Sequence, residues 1–145
     1  MSRTIQVTFD CADPNALAGF WNEALGYRYD APPPGFATWE EALDHFGVPE
    51  EDRNNASASV DPDERGPRLF FQRVPEGKTA KNRLHIDIRV AGEGPWDMAE
   101  RERLIRDLWP RLEAAGATYV REEHYDGALG QVVMLDPEGN EFCVA

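Results

Sequence analysis

His85 and Asp87 are the residues whose types and spacing are best suited to chemistry, because they alternate with apolar residues along one predicted strand. The apolar positions of this strand are Leu84, Ile86, Ile88 and Val90. A period of two residues is typical of a strand with one buried face. An imidazole and a carboxylate on the other face can bind a ligand, hold a metal ion or move a proton. The simpler alternative is a histidine that is hydrogen-bonded to Asp87 or to a backbone carbonyl.

A stretch near the start of the chain has the same pattern. Ile5, Val7 and Phe9 alternate with Gln6, Thr8 and Asp10, and a shift of 79 residues places Gln6 on His85. Each stretch precedes a helical pattern that ends at a glycine, and three further strand patterns follow. The sequence therefore predicts a single α+β domain over residues 1–145, built from two βαβββ modules, about 1–76 and about 77–145.

The two modules are expected to form a shared curved sheet with a central cleft. Each helix would cover the apolar face of its own sheet, which leaves the polar faces to line the cleft. Residues 32–55 are an insertion in the first module. In this insertion, Thr38 is predicted to cap a short helix from Trp39 to Phe46, with Glu41 in the capping-box position. In the second module, Pro110 is expected to kink or restart the helix that ends at Gly116.

Composition and charge narrow the classes of partner and compartment. A net charge of -12 argues against nucleic acid and anionic membranes, because both would repel the chain. We expect a cytoplasmic protein, since there is no apolar signal core and no run that could span a bilayer. Two cysteines, Cys11 and Cys143, are too few for a disulfide framework and are expected to be reduced thiols.

Several motifs together resemble the vicinal oxygen chelate superfamily, in its glyoxalase and bleomycin-resistance-like branch. The resemblance lies in the segments Gln6–Pro14, Phe20–Tyr27, Asn82–Asp87, Gly116–Thr118 and Asp136–Phe142. It covers nearly the whole chain and leaves only the insertion as an elaboration. It implies a cleft that binds a small molecule, and pairing of two copies as a homodimer.

The same resemblance implies where a divalent metal would bind, since enzymes of this family take ligands from the first and last strands of each half. Carried over, the positions fall on Gln6 where histidine is usual, His85, Gln72, and Cys143 where glutamate is usual. Glu141 is expected to lie one pleat away from Cys143. We expect no cofactor, and if a metal binds, Gln6, His85 and Cys143 would hold it. Imidazole and thiolate favour zinc over manganese or magnesium.

Three functions follow as hypotheses. The first is metal-independent binding of a small molecule, and its expected ligand-binding residues are Gln6, Thr8, Gln72, His85, Asp87 and Cys143. The second is a metal-dependent lyase, isomerase or dioxygenase. The third is an interaction module whose exposed Phe36 or Trp96 supports a dimer.

Two tryptophans have two interpretations each, and two histidines have one. Trp39 and Trp96 can be pocket walls, or they can supply buried area in a core or an interface. His45 and His124 lie in polar surroundings and are expected at the surface.

Overall fold

The computed structural model describes residues 3–91 and 97–145, and their strands form two four-stranded sheets. One compact unit ends at Gly77 and a second begins at Lys78, and residues 23–25 group with the second unit. The elements are β1 (Gln6–Cys11), α1 (Pro14–Leu25), β2 (Arg28–Tyr29), α2 (Trp39–His45), β3 (Ala56–Val60), β4 (Arg68–Arg73), β5 (Ile86–Ile88), α3 (Met98–Ala114), β6 (Thr118–Tyr125), β7 (Ala128–Leu135) and β8 (Glu141–Val144). The predicted pair of βαβββ modules is confirmed. We call β1 to β4 module 1 and β5 to β8 module 2.

The two modules have the same strand topology. Module 1 has the order β1-β4-β3-β2, and module 2 has the order β5-β8-β7-β6. In each, the first strand pairs in parallel with the last strand, and the remaining pairs are antiparallel. Thr8 lies opposite Phe70 in module 1, and Asp87 lies opposite Cys143 in module 2. Thr8 and Asp87 are themselves 79 residues apart, so the predicted shift relates equivalent positions of the two sheets.

Aromatic packing fixes which face of module 1 is buried. The Phe9 and Phe71 rings stack with centroids 5.0 Å apart, and the Phe9 and Trp21 centroids are 5.3 Å apart. Trp21, which belongs to α1, is 1% exposed, and Phe71 is fully buried. Because successive side chains of a strand point to opposite faces, the residues between these positions lie on the other face of the sheet.

The insertion in module 1 is anchored to the start of α1. Asp13 caps this helix by accepting a hydrogen bond from the Ala16 amide, and Pro14 occupies the first turn. Asn54, at the end of the insertion, donates from Nδ2 to Asp13 Oδ1 at 2.8 Å and accepts from the Asn15 amide at 2.9 Å. The predicted short helix is present as α2, and Thr38 accepts from the Glu41 amide as expected. Glu41 accepts from the amide of Ala37.

Helix α3 packs on β7 and corrects the prediction for Pro110. The helix runs unbroken from Met98 to Ala114, so Pro110 does not restart it. Proline removes one backbone hydrogen bond from a helix. Ile105 and Leu112 are fully buried on either side of it, and their packing holds the helix across the missing bond. No helix in residues 3–91 or 97–145 is long and apolar enough to cross a membrane.

The strand around His85 is shorter than predicted. Only Ile86–Ile88 pairs with β8, opposite Phe142–Val144, and His85 lies immediately before it. Leu84 was predicted to be buried, and this is wrong, since the residue is 71% exposed. Ile5, the equivalent residue of module 1, is also 71% exposed. Both residues precede the first residue of their strand that pairs, so neither is held over the core.

Removal of the anchor at Asp13 should cause a measurable loss of stability. Replacing Asp13 by alanine removes the cap and the contact with Asn54, and should lower the unfolding free energy by about 1 kcal/mol. The hydrogen bond from Asn54, followed by that from the Ala16 amide, lowers the pKa of Asp13. The difference in unfolding free energy between wild type and Asp13→Ala should therefore persist above about pH 4. It should disappear as the pH falls through the lowered pKa of Asp13 in the folded protein.

Urea unfolding of wild type and Asp13→Ala, repeated from pH 7 downwards, measures this difference. Asp63→Ala is the matched control, because Asp63 pairs only with the exposed Arg65 in a turn and such pairs contribute little. Equal unfolding free energies for wild type and Asp13→Ala at pH 7 would contradict the assignment.

Candidate functional site

Three of the predicted site residues come together on the polar face of module 2. The potential ligand atoms of His85, Asp87 and Cys143 all lie within 4.8 Å of one another. Asp87 and Cys143 are register partners in β5 and β8, and His85 Nε2 lies 3.4 Å from Asp87 Oδ1. The parallel pairing of the first and last strands thus places a thiol beside the imidazole and carboxylate. We call these three residues the module 2 cluster.

Glu141 borders this cluster, although the sequence analysis did not count it among the site residues. Its Oε1 lies 3.9 Å from His85 Nδ1 and accepts a hydrogen bond from Lys81. Glu141 and Cys143 are two residues apart on β8, so they share a face of the sheet. The two-residue period could have identified Glu141 from sequence alone. The side chain is 16% exposed, whereas those of His85 and Asp87 are 42% and 52% exposed.

The electrostatic environment keeps the Cys143 thiol protonated. Burial, followed by the charge of Asp87 and the hydrogen bond to Asp87, raises the pKa of Cys143 to about 11. Glu123 and Glu141 contribute in the same direction. The hydrogen bond from Lys81 lowers the pKa of Glu141, which keeps its carboxylate charged. The carboxylates of Asp87, Glu123 and Glu141 thus surround the thiol, and Lys81 and Arg121 offset part of their charge.

The polar face of module 1 is organised around Arg68. Its Nη1 donates to Gln6 Oε1 at 2.6 Å, and its Nε donates to Asp30 Oδ2 at 2.8 Å. Gln6 and Arg68 are register partners in β1 and β4. The amide oxygen that would bind a metal at Gln6 therefore already accepts from a cationic guanidinium. Arg68 and Asp30 are functional candidates that the sequence analysis did not identify, because their contact depends on the register of β4.

Gln72 occupies a different part of this face from Gln6. It pairs with Asp10 and donates from Nε2 to Asp10 Oδ1 at 2.7 Å. Its position is four residues beyond Arg68 on β4, a distance of about 13 Å along a strand. Phe70, which lies opposite Thr8, is the position equivalent to Cys143. The register therefore assigns the module 1 ligand position to Phe70, which has no atom that can bind a metal, and not to Gln72.

Equivalent positions of the two modules carry opposite charge. Gln6 lies opposite Arg68, and His85, which is equivalent to Gln6, lies beside Glu141. Module 1 thus presents a guanidinium where module 2 presents a carboxylate. Each of these charges has a partner of opposite sign, since Asp30 pairs with Arg68 and Lys81 pairs with Glu141.

The donor set of module 2 fits a soft divalent ion. Imidazole, thiolate and carboxylate are ligands that zinc accepts in tetrahedral sites, usually with a fourth position for water or substrate. Among the residues that the structure describes, His85, Asp87 and Cys143 are the one group of this kind. Metal binding would have to displace the thiol proton, which the high pKa of Cys143 makes more costly near pH 7.

The remaining aromatic and histidine predictions have mixed outcomes. Trp39 is 40% exposed and donates from Nε1 to the carbonyl of Asp30, so it is not a core residue. His45 and His124 are exposed, as predicted. Phe36, expected to be exposed, is partly buried and packs against the rings of His45 and Phe46. Trp96 lies outside the described residues.

One comparison with known proteins identifies the family of the chain. The family model described as "Glyoxalase-like domain" matches residues 6–145. No curated protein sequence is significantly similar to the chain. Many solved structures are similar to it in fold.

A glyoxalase/bleomycin resistance protein/dioxygenase family enzyme from Burkholderia phytofirmans PsJN is 16% identical, with a TM-score of 0.61 and coverage of 96% of this chain and 94% of that one. A mutant of the fosfomycin resistance protein FosX from Listeria monocytogenes, complexed with Mn(II) and 1S,2S-dihydroxypropylphosphonic acid, is 10% identical, with a TM-score of 0.62 and coverage of 99% and 89%. A glyoxalase-related enzyme from Fulvimarina pelagi is 17% identical, with a TM-score of 0.58 and coverage of 100% and 88%. At these identities the similarity concerns the fold.

The environment of Cys143 predicts slow alkylation of its thiol. Because only the thiolate reacts, a pKa of about 11 should make iodoacetamide labelling at pH 7 much slower in the folded protein than in urea. Asp87→Asn removes one of the charges that raise this pKa and should accelerate labelling. Peptide mass spectrometry distinguishes Cys143 from the other buried thiol, Cys11. Labelling of Cys143 in the folded protein at the rate of the unfolded chain would show the assignment to be wrong.

Proposed function

The chain belongs to the glyoxalase-like domain family, within the vicinal oxygen chelate superfamily, and on this basis we propose that it binds a small organic molecule without a metal ion. The ligand would lie in the predicted cleft, against the polar faces of the two modules. In this proposal the family's metal site is degenerate. The homodimer and the cytoplasmic location stay predictions.

The hydrogen bond between Gln6 and Arg68 carries this proposal. A metal bound through Gln6 would need the oxygen that already accepts from the guanidinium at 2.6 Å. It would also have a positive charge as its immediate neighbour, which costs Coulomb energy. Together with Phe70 at the other ligand position, this supports a ligand site without a metal ion held by module 1.

The two polar faces offer the kind of groups that orient a small molecule. Thr8, His85 and Asp87 are all exposed and provide a hydroxyl, an imidazole and a carboxylate. Ligand sites typically combine apolar walls with a few such polar groups. Phe70, which is partly exposed and lies opposite Thr8, provides apolar surface on the face of module 1.

A metal-dependent lyase, isomerase or dioxygenase is the second candidate, and the module 2 cluster favours it. Three ligand atoms within 4.8 Å could hold zinc and leave a position for a substrate oxygen, which the metal would polarise. The similar structure from Listeria monocytogenes contains Mn(II). Manganese prefers oxygen ligands, whereas this cluster includes a thiol, so the expected ion would be zinc.

Chelation distinguishes the two candidates. A library of small organic compounds is screened by thermal shift on protein treated with EDTA, since a ligand that binds only the folded state raises its melting temperature. The proposal predicts hits that persist without metal and weaken in His85→Ala. His124→Ala is the matched control, because His124 Nε2 lies 3.4 Å from Glu122 Oε2, as His85 Nε2 does from Asp87 Oδ1.

The metal-dependent candidate predicts a different result. Zinc alone should raise the melting temperature of wild type and His124→Ala but not of His85→Ala or Asp87→Asn. Compound binding that appears only after zinc is added would overturn the proposal in favour of this candidate. Native mass spectrometry of the same samples reports the number of subunits and any retained ligand.

A further inference from the structure

Phe70 lies on the polar face of module 1 between two short side chains. Its register partners are Thr8 in β1 and Ala58 in β3. Both partners are too small to cover an aromatic ring, and Phe70 is partly exposed. The three residues therefore form a flat row across the sheet with an aromatic ring at its centre. We call this row the Phe70 shelf.

Arg68 borders the shelf and is held in place from two directions. It precedes Phe70 by two residues on β4, so it shares the same face, and its Cζ lies over the ring, 5.6 Å from the centroid, so the guanidinium covers part of one ring face. Asp30 fixes Nε and Gln6 fixes Nη1, so the side chain has little freedom left to lose when a ligand binds. Nη2 has no hydrogen-bond partner among residues 3–91 and 97–145, and the side chain is 38% exposed.

The chemistry of this arrangement defines a class of ligand. A guanidinium donates to both oxygens of a carboxylate in a planar arrangement, and it does so best when its own orientation is fixed. An aromatic ring beside it favours a flat apolar group through stacking. Asp30 balances the charge of Arg68 in the free protein, and it occupies Nε rather than Nη2.

We propose that the Phe70 shelf and Arg68 form a binding site for a planar aromatic carboxylate. The ring of the ligand packs against the part of Phe70 that Arg68 leaves open, edge-to-face or offset, and its carboxylate accepts hydrogen bonds from Arg68. This inference rests on the proposed function and specifies the class of its ligand. It requires residues of module 1 only, and none of the module 2 cluster takes part in it.

Benzoate and its neutral analogue benzamide provide the test, because they share a ring and differ in the charge of the head group. Binding of each to the wild-type protein is measured by isothermal titration calorimetry or, for weak complexes, by saturation-transfer NMR. Benzoate should bind at least about tenfold more tightly than benzamide, since a hydrogen bond to a charged group is stronger than one to a neutral group. Arg68→Gln should abolish this preference.

Two further variants separate binding from folding. Arg65→Gln is the matched control, because it removes the same charge from a turn where the side chain is 79% exposed, and it should bind benzoate as wild type does. Phe70→Leu keeps Arg68 and the apolar volume but removes the aromatic face, so it should weaken both compounds to a similar degree. Circular dichroism and thermal melting confirm that each variant is folded. If Arg68→Gln does not fold, two results test the inference in its place. They are the preference of wild type for benzoate and the weaker binding of both compounds by Phe70→Leu.

The outcomes distinguish this inference from the proposed function. Equal affinity of wild type for benzoate and benzamide, no binding of benzoate, or a benzoate affinity unchanged in a folded Arg68→Gln, would overturn the inference. Hits from the compound library that survive chelation would still support the proposed function in each of these cases. Failure of every library compound together with benzoate would overturn both.

Discussion

The parallel pairing between the first and last strands of each module is the interaction on which the candidate site depends. It brings together residues that are far apart in sequence, such as Gln6 and Arg68, which are 62 positions apart. A parallel pair needs a crossover connection, and here the helix and two strands between the paired strands provide it. The helix covers one face of the sheet, so every functional contact falls on the other face. The register of the sheets therefore determines which residues of the candidate site lie next to one another.

The repeated scaffold carries two different chemistries. In module 1 an arginine is fixed by an amide and a carboxylate, and in module 2 an imidazole lies near two carboxylates and a thiol. A symmetric metal site would need equivalent ligands from both halves. Arg68 and Phe70 occupy the module 1 positions, so the two halves do not offer equivalent ligands.

The fold and half of the candidate site could be predicted from sequence, and the reasons differ by residue. His85 and Asp87 were identified because alternation places them on one face, and the 79-residue shift identified Gln6 and Thr8. Cys143 was placed by the resemblance and is confirmed as a neighbour of His85 and Asp87. Gln72 was assigned where the register has Phe70, because the pairing of β1 with β4 depends on turns and packing that sequence does not specify. Leu84 was predicted to be buried because periodicity does not show where pairing begins.

The protonated thiol of Cys143 also determines how the site responds to oxidants. The thiolate, and not the thiol, attacks peroxides, and a pKa of about 11 leaves little thiolate at pH 7. Conversion to sulfenic acid should therefore be slow. Burial, together with the carboxylates around Cys143, thus protects the thiol from oxidation. A bound cation would cancel that protection by stabilising the thiolate.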